Sequence, residues 1–247
     1  RDFMRDGGAE GLFQSDVHSV AEQMLQCLSF LHALKCVHTD LKCRNVLLRD
    51  SRHDVLPLPR SRSGATAPKL RSCEIVVIDF GGAVFQDGEE MDNCIGTRQY
   101  RAPEVVLGLP WDEKVDVWSA GCVIAMAYVG ERLFNVKEDL QHLALIERRI
   151  GKSVPPAMVR QATSKGSLPE GVTFSVEGSL NWPGHFADEE ELVLHVQEAE
   201  SLRDLVRGNH RSLLELLEGM LQIDPKRRLS AESAFMLPFV VAQEVRE

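Results

Sequence analysis

Asp40, Asn45 and Asp79 are the residues through which this sequence could do chemistry. Moving a phosphoryl group from ATP to a hydroxyl asks little covalent participation of a protein. It asks for a carboxylate that orients the attacking hydroxyl and for oxygen ligands that hold magnesium against the phosphates. The run His38-Thr39-Asp40-Leu41-Lys42-Cys43-Arg44-Asn45, with Asp79-Phe80-Gly81 further along the chain, carries such a set as H-x-D-L-x-x-x-N and D-F-G. Taken singly, each acid is more simply a turn or surface residue, and a lone D-F-G is a weak signal. The order of the later motifs decides between the two readings. Gly96-Thr97-Arg98-Gln99-Tyr100-Arg101-Ala102-Pro103-Glu104 comes next, then Asp116-Val117-Trp118-Ser119-Ala120-Gly121-Cys122, then Asp224-Pro225-Lys226-Arg227-Arg228.

In this order the motifs resemble those of eukaryotic-type protein kinases, and the resemblance covers essentially the whole chain. It implies that Asp40 is the catalytic base and that Lys42 steadies the transferred phosphate. Asn45 and Asp79 are the implied magnesium ligands, so ATP and Mg2+ are the implied cofactors. Leu47 matches the side chain beneath the adenine ring and Ile78 lies just before the D-F-G, although plain core residues are an equally good reading of both. Thr97 matches a threonine whose hydroxyl meets the catalytic Asp and Lys. Asp116 matches a buried acid that accepts hydrogen bonds from the catalytic-loop backbone. Glu104 and Arg228 match a buried ion pair that braces the substrate loop.

Within the kinases, Tyr100-Arg101-Ala102-Pro103-Glu104 resembles the CMGC group, which contains the cyclin-dependent, MAP and LAMMER kinases. Thr39 stands where most kinases have Arg, as in LAMMER (Clk-type dual-specificity) kinases. Gln141-His142-Leu143-Ala144-Leu145-Ile146-Glu147-Arg148 is similar to that family's E-H-L-A-M-M-E-R, with Gln for the first Glu and Leu-Ile for Met-Met. An amphipathic surface helix explains this stretch equally well on its own. A lengthened loop ahead of D-F-G is a third agreement. The resemblance implies a Ser/Thr kinase, with Tyr as a further acceptor, acting on Arg/Ser-rich splicing proteins.

There are departures. Cys43-Arg44 replaces the usual Pro-Glu, which removes a rigid turn residue but no catalytic group. Gly82 to Gly96 holds no Ser, Thr or Tyr, and its carboxylates at Asp87, Glu89, Glu90 and Asp92 could stand in for an activating phosphate. No Gly-rich loop and no V-A-I-K lysine precede the catalytic loop. The expectation is therefore the C-terminal (large) lobe alone, mainly α with a few short β-strands, with the N-terminal lobe absent and the isolated chain inactive. A kinase-derived binding or scaffold protein without catalysis is the rival reading, and intact Asp40, Lys42, Asn45 and Asp79 argue against it.

The elements that must position these residues are legible in part. Ser15 or Asp16 caps a helix with apolar positions Val17, Val20, Met24, Leu28 and Leu31, at three-four spacing, ending before Cys36. The catalytic loop occupies 36–48 and an insert 49–73, where prolines and Arg60-Ser61-Arg62-Ser63 predict a largely irregular excursion. The Arg-Ser run reads as a flexible polar loop before a self-substrate. Glu74 to Ile78 predicts a strand that delivers Asp79 to the activation segment, 79–104. Beyond Asp116 an apolar run without a polar face predicts a helix buried on all sides. A LAMMER-type helix and insert region occupies 139–200, and its acidic stretch Asp188-Glu189-Glu190-Glu191 reads as a solvated helix start before a docking surface. Arg211 to Ile223 predicts an amphipathic helix, and all of 1–247 reads as one domain.

Composition excludes several classes. With 44% hydrophobic and 26% charged residues the chain reads as an ordinary globular domain. The apolar run Val117 to Gly130 is too short to span a bilayer. Arg1, Asp2, Arg5 and Asp6 do not read as a signal peptide, and a start without Met suggests a piece of a longer protein. Six cysteines without a C-x-x-C pair suggest reduced intracellular thiols. A net charge of −9 argues against direct nucleic-acid binding and suits basic protein substrates. The expectation is a monomer that binds protein substrates and no membrane, inside the cell, in the nucleus first and the cytoplasm second.

Overall fold

The computed structural model describes residues 11–61, 64–87, 91 and 93–242. Arg62 and Ser63 of the Arg-Ser run, the carboxylates Glu89, Glu90 and Asp92, and the charged start at Arg1, Asp2, Arg5 and Asp6 lie outside them. The first described helix, α1 (Gln14–Ala33), buries Val17, Val20, Ala21, Met24, Leu25 and Leu28 and exposes Glu22, Gln26 and Phe30. That is what three-four spacing dictates. Its start departs from expectation. Ser15 and Asp16 lie inside the first turn, and the buried Asp16 carboxylate accepts from the Leu70 backbone N–H at 3.0 Å and pairs with Lys69.

Among the described residues, six short strands form three antiparallel pairs. β1 (Cys36–Val37) pairs with β6 (Val84–Phe85), and β2 (Val46–Leu48) with β5 (Ile75–Val77). These two pairs bracket the catalytic loop and set it against the segment carrying Asp79. The third pair corrects the reading of the insert as irregular: β3 (His53–Pro57) and β4 (Thr66–Leu70) form a hairpin, registered from His53↔Leu70 to Pro57↔Thr66. Prolines in a two-stranded ribbon cost little, because every strand is an edge. The hairpin is anchored from its turn: Leu58 and Ala67 pack on Phe13, and Arg60 donates to the carbonyls of Leu12 (2.5 Å) and Tyr128 (2.7 Å). The Arg60 guanidinium also lies 4.4 Å from the Tyr128 ring centroid, so this part of the Arg-Ser run is a buried anchor.

Later in the chain come the helices α2 (Pro103–Val106), α3 (Lys114–Val129), α4 (Asp139–Ile150), α5 (Pro156–Lys165) and α6 (Glu190–Gln197). After them come α7 (Leu202–Leu205), α8 (Arg211–Met220), α9 (Ala231–Phe235) and α10 (Pro238–Val241). Every residue of α3 from Val115 to Tyr128 is buried, which makes it the axis of the core. α8 lays Leu213, Leu216, Leu217 and Met220 against it. Gly121 permits that approach, since a Cβ there would meet Leu221 Cδ2 at 3.0 Å. α4 is not the surface helix that its pattern allows: Gln141 and His142 are buried along with Leu143, Ala144, Leu145 and Ile146. The acidic start of α6 is exposed. No described helix is long and apolar enough to cross a membrane, and the six cysteines are free thiols.

Candidate active site

The site is built on two short turns held face to face. Asn45 closes the first, its backbone N–H donating to Lys42 O at 2.9 Å, and its carbonyl accepts from Ile78 N–H at 2.9 Å where β2 and β5 meet. This bond places Asp79 opposite Asn45. Asp79 adopts φ 70°, ψ 62°, a left-handed conformation that costs a non-glycine residue about 1 kcal/mol and is held here by its surroundings. His38 supplies much of that hold. Its Nδ1 accepts from the Asp40 N–H (3.3 Å), so its Nε2 carries the proton donated to the Ile78 carbonyl (3.0 Å), and its ring sits 4.9 Å from that of Phe80.

The catalytic-loop backbone is fixed from below by Asp116, which is buried in the first turn of α3. Its Oδ2 accepts from His38 N–H (2.7 Å) and its Oδ1 from Thr39 N–H (2.9 Å), with His32 Nε2 3.1 Å from Oδ2. A buried carboxylate needs such partners, and the two backbone donors dictate the loop's path. Thr39 itself has φ 70°, and its hydroxyl donates to the Gly82 carbonyl at 2.8 Å, tying the catalytic loop to the start of the activation segment.

Asp40, Lys42 and Thr97 converge. Asp40 Oδ1 accepts from the Thr97 N–H (2.9 Å) and hydroxyl (2.8 Å), and Oδ2 from Lys42 Nζ (2.5 Å). Lys42 Nζ also reaches Thr97 Oγ1 at 3.0 Å. Partial burial pushes the Asp40 carboxyl up, but the hydrogen bonds from Lys42 and Thr97 and the Lys42 charge outweigh it and hold the group below the usual carboxylate range. Asn45 Nδ2 donates to the Asp40 carbonyl (2.9 Å) and to Asp79 Oδ2 (3.3 Å), so Asp40, Asn45 and Asp79 meet in one place.

The remaining positions divide. Leu47, paired across from Val76 in the β2–β5 ladder, is 42% exposed and so is not a core residue, and Ile78, just past β5 and opposite Asn45, is partly buried. Glu104 and Arg228 form a bidentate pair at 2.6 and 2.8 Å, both nearly inaccessible, with Arg228 also 5.1 Å from the Trp118 ring centroid. Sequence reasoning assigned no role to His38, whose place in H-x-D was the available signal. It also missed His32, for which no pattern in this one chain gave a signal.

A divalent cation fits the donor set. The described residues hold no group of three or more His, Cys, Asp or Glu, which is what a dedicated protein cage would need. One exposed carboxylate and one amide, Asp79 and Asn45, instead suit a hard cation whose other ligands are phosphate oxygens and water.

The fold, and the convergence of Asp40, Lys42 and Thr97 beside Asn45 and Asp79, define the class to which the chain belongs. Residues 3–240 match the protein kinase domain family, and the chain belongs to that family. Similar proteins include the dual specificity protein kinase lkh1 of Schizosaccharomyces pombe, 33% identical over 96% of this chain and 34% of that protein. The serine/threonine-protein kinase AFC3 of Arabidopsis thaliana is 39% identical over 88% of the chain and 54% of its own length. The human dual specificity protein kinase CLK2 is 32% identical over 96% and 46%. The crystal structure of the PF14_0431 kinase domain superposes with a TM-score of 0.86 at 33% identity, covering 96% of this chain and 69% of that one. The likeness to Clk/LAMMER-type kinases is thus found across the whole sequence as well as in its motifs. The chain spans between about a third and just over half of these curated relatives.

These matches correct the expectation of a C-terminal lobe with its N-terminal lobe absent. The kinase-domain match runs from residue 3 to residue 240 and the structural likeness covers 96% of the chain, so the assignment is to the kinase domain and not to its large lobe alone. The expectation came from motifs not found ahead of the catalytic loop, and where a sequence starts does not delimit a fold. The expected inactivity of the isolated chain loses its ground with it.

Proposed function

We propose that the protein transfers the γ-phosphate of ATP to Ser and Thr hydroxyls of other proteins, with Tyr as a further acceptor, and that its substrates are rich in Arg and Ser. The observation that carries this is the convergence of Asp40, Lys42 and Thr97 beside the Asn45–Asp79 pair. Bound ATP with magnesium supplies the phosphoryl group and the charge that shields it. Asp79 and Asn45 would hold the cation. Asp40 orients the incoming hydroxyl and takes its proton, and because its carboxyl lies below the ordinary range it is ionised at neutral pH. Lys42 sets its ammonium group next to that carboxylate, where the negative charge of the transferred group accumulates. Thr97 fixes the Asp40 rotamer and thereby the direction from which the hydroxyl approaches. Leu47 and Ile78 offer an apolar edge for the adenine ring.

The net charge of −9 and the exposed acidic start of α6 support a basic protein substrate and no direct nucleic-acid partner. The same reading places the protein in the cell nucleus, as a monomer. A direct test is phosphorylation by purified full-length protein of two Ser-containing peptides of equal length, one Arg-rich and one Asp-rich. The Arg-rich peptide is expected to have the higher kcat/KM. Preference for the Asp-rich peptide would reject the substrate class, and transfer to neither would reject the activity.

A further inference from the structure

The end of α4, the short α7 and the last turn of α8 enclose a cavity of about 300 Å³ that the transfer step does not use. Three cations line it: Arg149 in the last turn of α4, Lys152 just after that helix, and Arg203 in α7. They are unequally satisfied. Arg203 Nε donates to Glu218 Oε1 at 2.6 Å, and Glu218 is the carboxylate of the lining. Among the described residues, Lys152 reaches only the Gln222 amide oxygen, at 3.4 Å. Arg149 is 7% exposed, donates to the Glu200 carbonyl at 3.1 Å and lies 3.7 Å from the exposed Glu131 carboxylate, while its Nε has no acceptor. Burial lowers the pKa of its guanidinium from the ordinary value, against the opposite pull of Glu131 and Glu200. Cations suit the C-terminal end of a helix by themselves, which accounts for the exposed Lys152. It does not account for a buried guanidinium with an orphaned donor, which is costly unless an anion completes it.

We infer that this cavity binds a phosphomonoester dianion, the phosphoserine side chain of a protein segment. The inference rests on the proposed kinase activity for the source of that phosphoserine. Three lining cations against one lining carboxylate leave a positive excess that matches a dianion, and the three oxygens of a phosphate can meet donors arriving from three directions. The volume lies at the lower end of the range for ligand sites and has room for one phosphorylated side chain. The cavity and the acceptor segment lie at opposite ends of α4. In the first turn of that helix Asp139 pairs with Arg98, the neighbour of Thr97. The 12 residues of α4 separate the two ends by about 18 Å, which an extended peptide spans in roughly six residues. A phosphoserine held here would anchor a substrate while a serine further along the same chain reaches Asp40.

The test is binding, measured by fluorescence anisotropy with full-length protein and no ATP. Three labelled peptides of otherwise neutral sequence carry Ser, Asp or phosphoserine at one position. The phosphoserine peptide should bind at least about 10-fold more tightly than the Ser peptide, with Asp well behind it. Its affinity should fall between pH 7 and pH 5, where the phosphate takes up its second proton near pH 6. Lys152→Glu and Arg203→Glu should each weaken it about 5-fold or more at an unchanged melting temperature, and Lys152→Arg should retain it. Asp40→Asn should bind as the wild type does. Equal affinity for the Ser and phosphoserine peptides would overturn the inference, as would an Asp peptide that binds as well as phosphoserine. A preference that survives both glutamate variants, or that Mg–ATP abolishes, would place the phosphate elsewhere and overturn it too. Affinity for inorganic phosphate equal to that for the phosphopeptide would make free phosphate the ligand and reject the docking of a protein segment. Because no transfer is measured, each of these failures leaves the kinase reading intact. A wild type that binds the phosphopeptide and phosphorylates nothing would reject the activity and uphold the binding site.

Discussion

Asp40 accepts three hydrogen bonds, two of them from side chains that can be changed one at a time. Thr97→Val deletes the hydroxyl and leaves the backbone bond, so kcat should fall about 10-fold, the worth of one such bond, with little change in melting temperature. Thr97→Ser should restore it, and an unaltered kcat in the valine variant would remove Thr97 from the site. The pH dependence has a definite sign. Because the folded-state pKa of Asp40 is depressed, its ionised form contributes stability above its unfolded value of about 4, and that contribution is lost as pH falls through the folded value. A pH–rate profile should therefore show no acid limb from Asp40 above about pH 5. An acid limb there that disappears in Asp40→Asn would contradict the assignment. At the Glu104–Arg228 pair the effect is on stability instead: Arg228→Ala leaves Glu104 buried and unpaired, and urea unfolding should show a loss of about 3–5 kcal/mol. Residue identities at these positions were legible because each sits in a fixed spacing. The bonds from His32 to Asp116 and from His38 to Ile78 were not, since they join chain segments far apart in sequence.

At the scale of elements, periodicity served where one face is apolar and failed where anchoring is polar. The buried face of α1 and the fully buried α3 follow from their apolar residues alone. The β3–β4 hairpin does not: its β3 side chains are all exposed, and beside the small apolar contacts of Leu58, Ala67 and Leu70 it is tied to the body by Arg60 and by the Lys69–Asp16 pair. Asp16→Ala should strand the buried Leu70 N–H and leave Lys69 with Ser15 Oγ alone, costing about 1–3 kcal/mol in thermal or urea unfolding. A loss below about 0.5 kcal/mol would mean that the hairpin docks by other contacts. The α4 helix shows the opposite failure: its pattern suits a surface helix, yet buried Gln141 accepts from the Lys137 N–H at 3.1 Å. The activation segment carries its own prediction. Gly82 to Gly96 holds no hydroxyl side chain, and Thr39, where an arginine would pair with a phosphate, ties Gly82 directly. Phosphatase treatment should leave turnover unchanged, with mass spectrometry confirming residues 79–104 unmodified. Activity that vanishes and returns only with phosphate on Thr97 or Tyr100 would refute this.

At the scale of the whole molecule, the parts of the site come from segments spread along the sequence. Asp40 and Asn45 lie on one loop, Asp79 comes after a hairpin insert, Thr97 lies within the activation segment, and Asp116 holds the backbone just ahead of Asp40 from the core helix α3. That dependence on the whole fold separates removing chemistry from removing structure. The most direct measurement is transfer of radiolabelled γ-phosphate from ATP to a Ser peptide by purified full-length protein, wild type beside Asp40→Asn and Asp79→Asn, with melting curves for all three. Transfer by the wild type, a loss of at least about 100-fold in each variant, and melting temperatures unchanged within a few degrees are the predicted result. Turnover close to wild type in either variant, or a wild-type protein that moves no phosphate, would contradict the account.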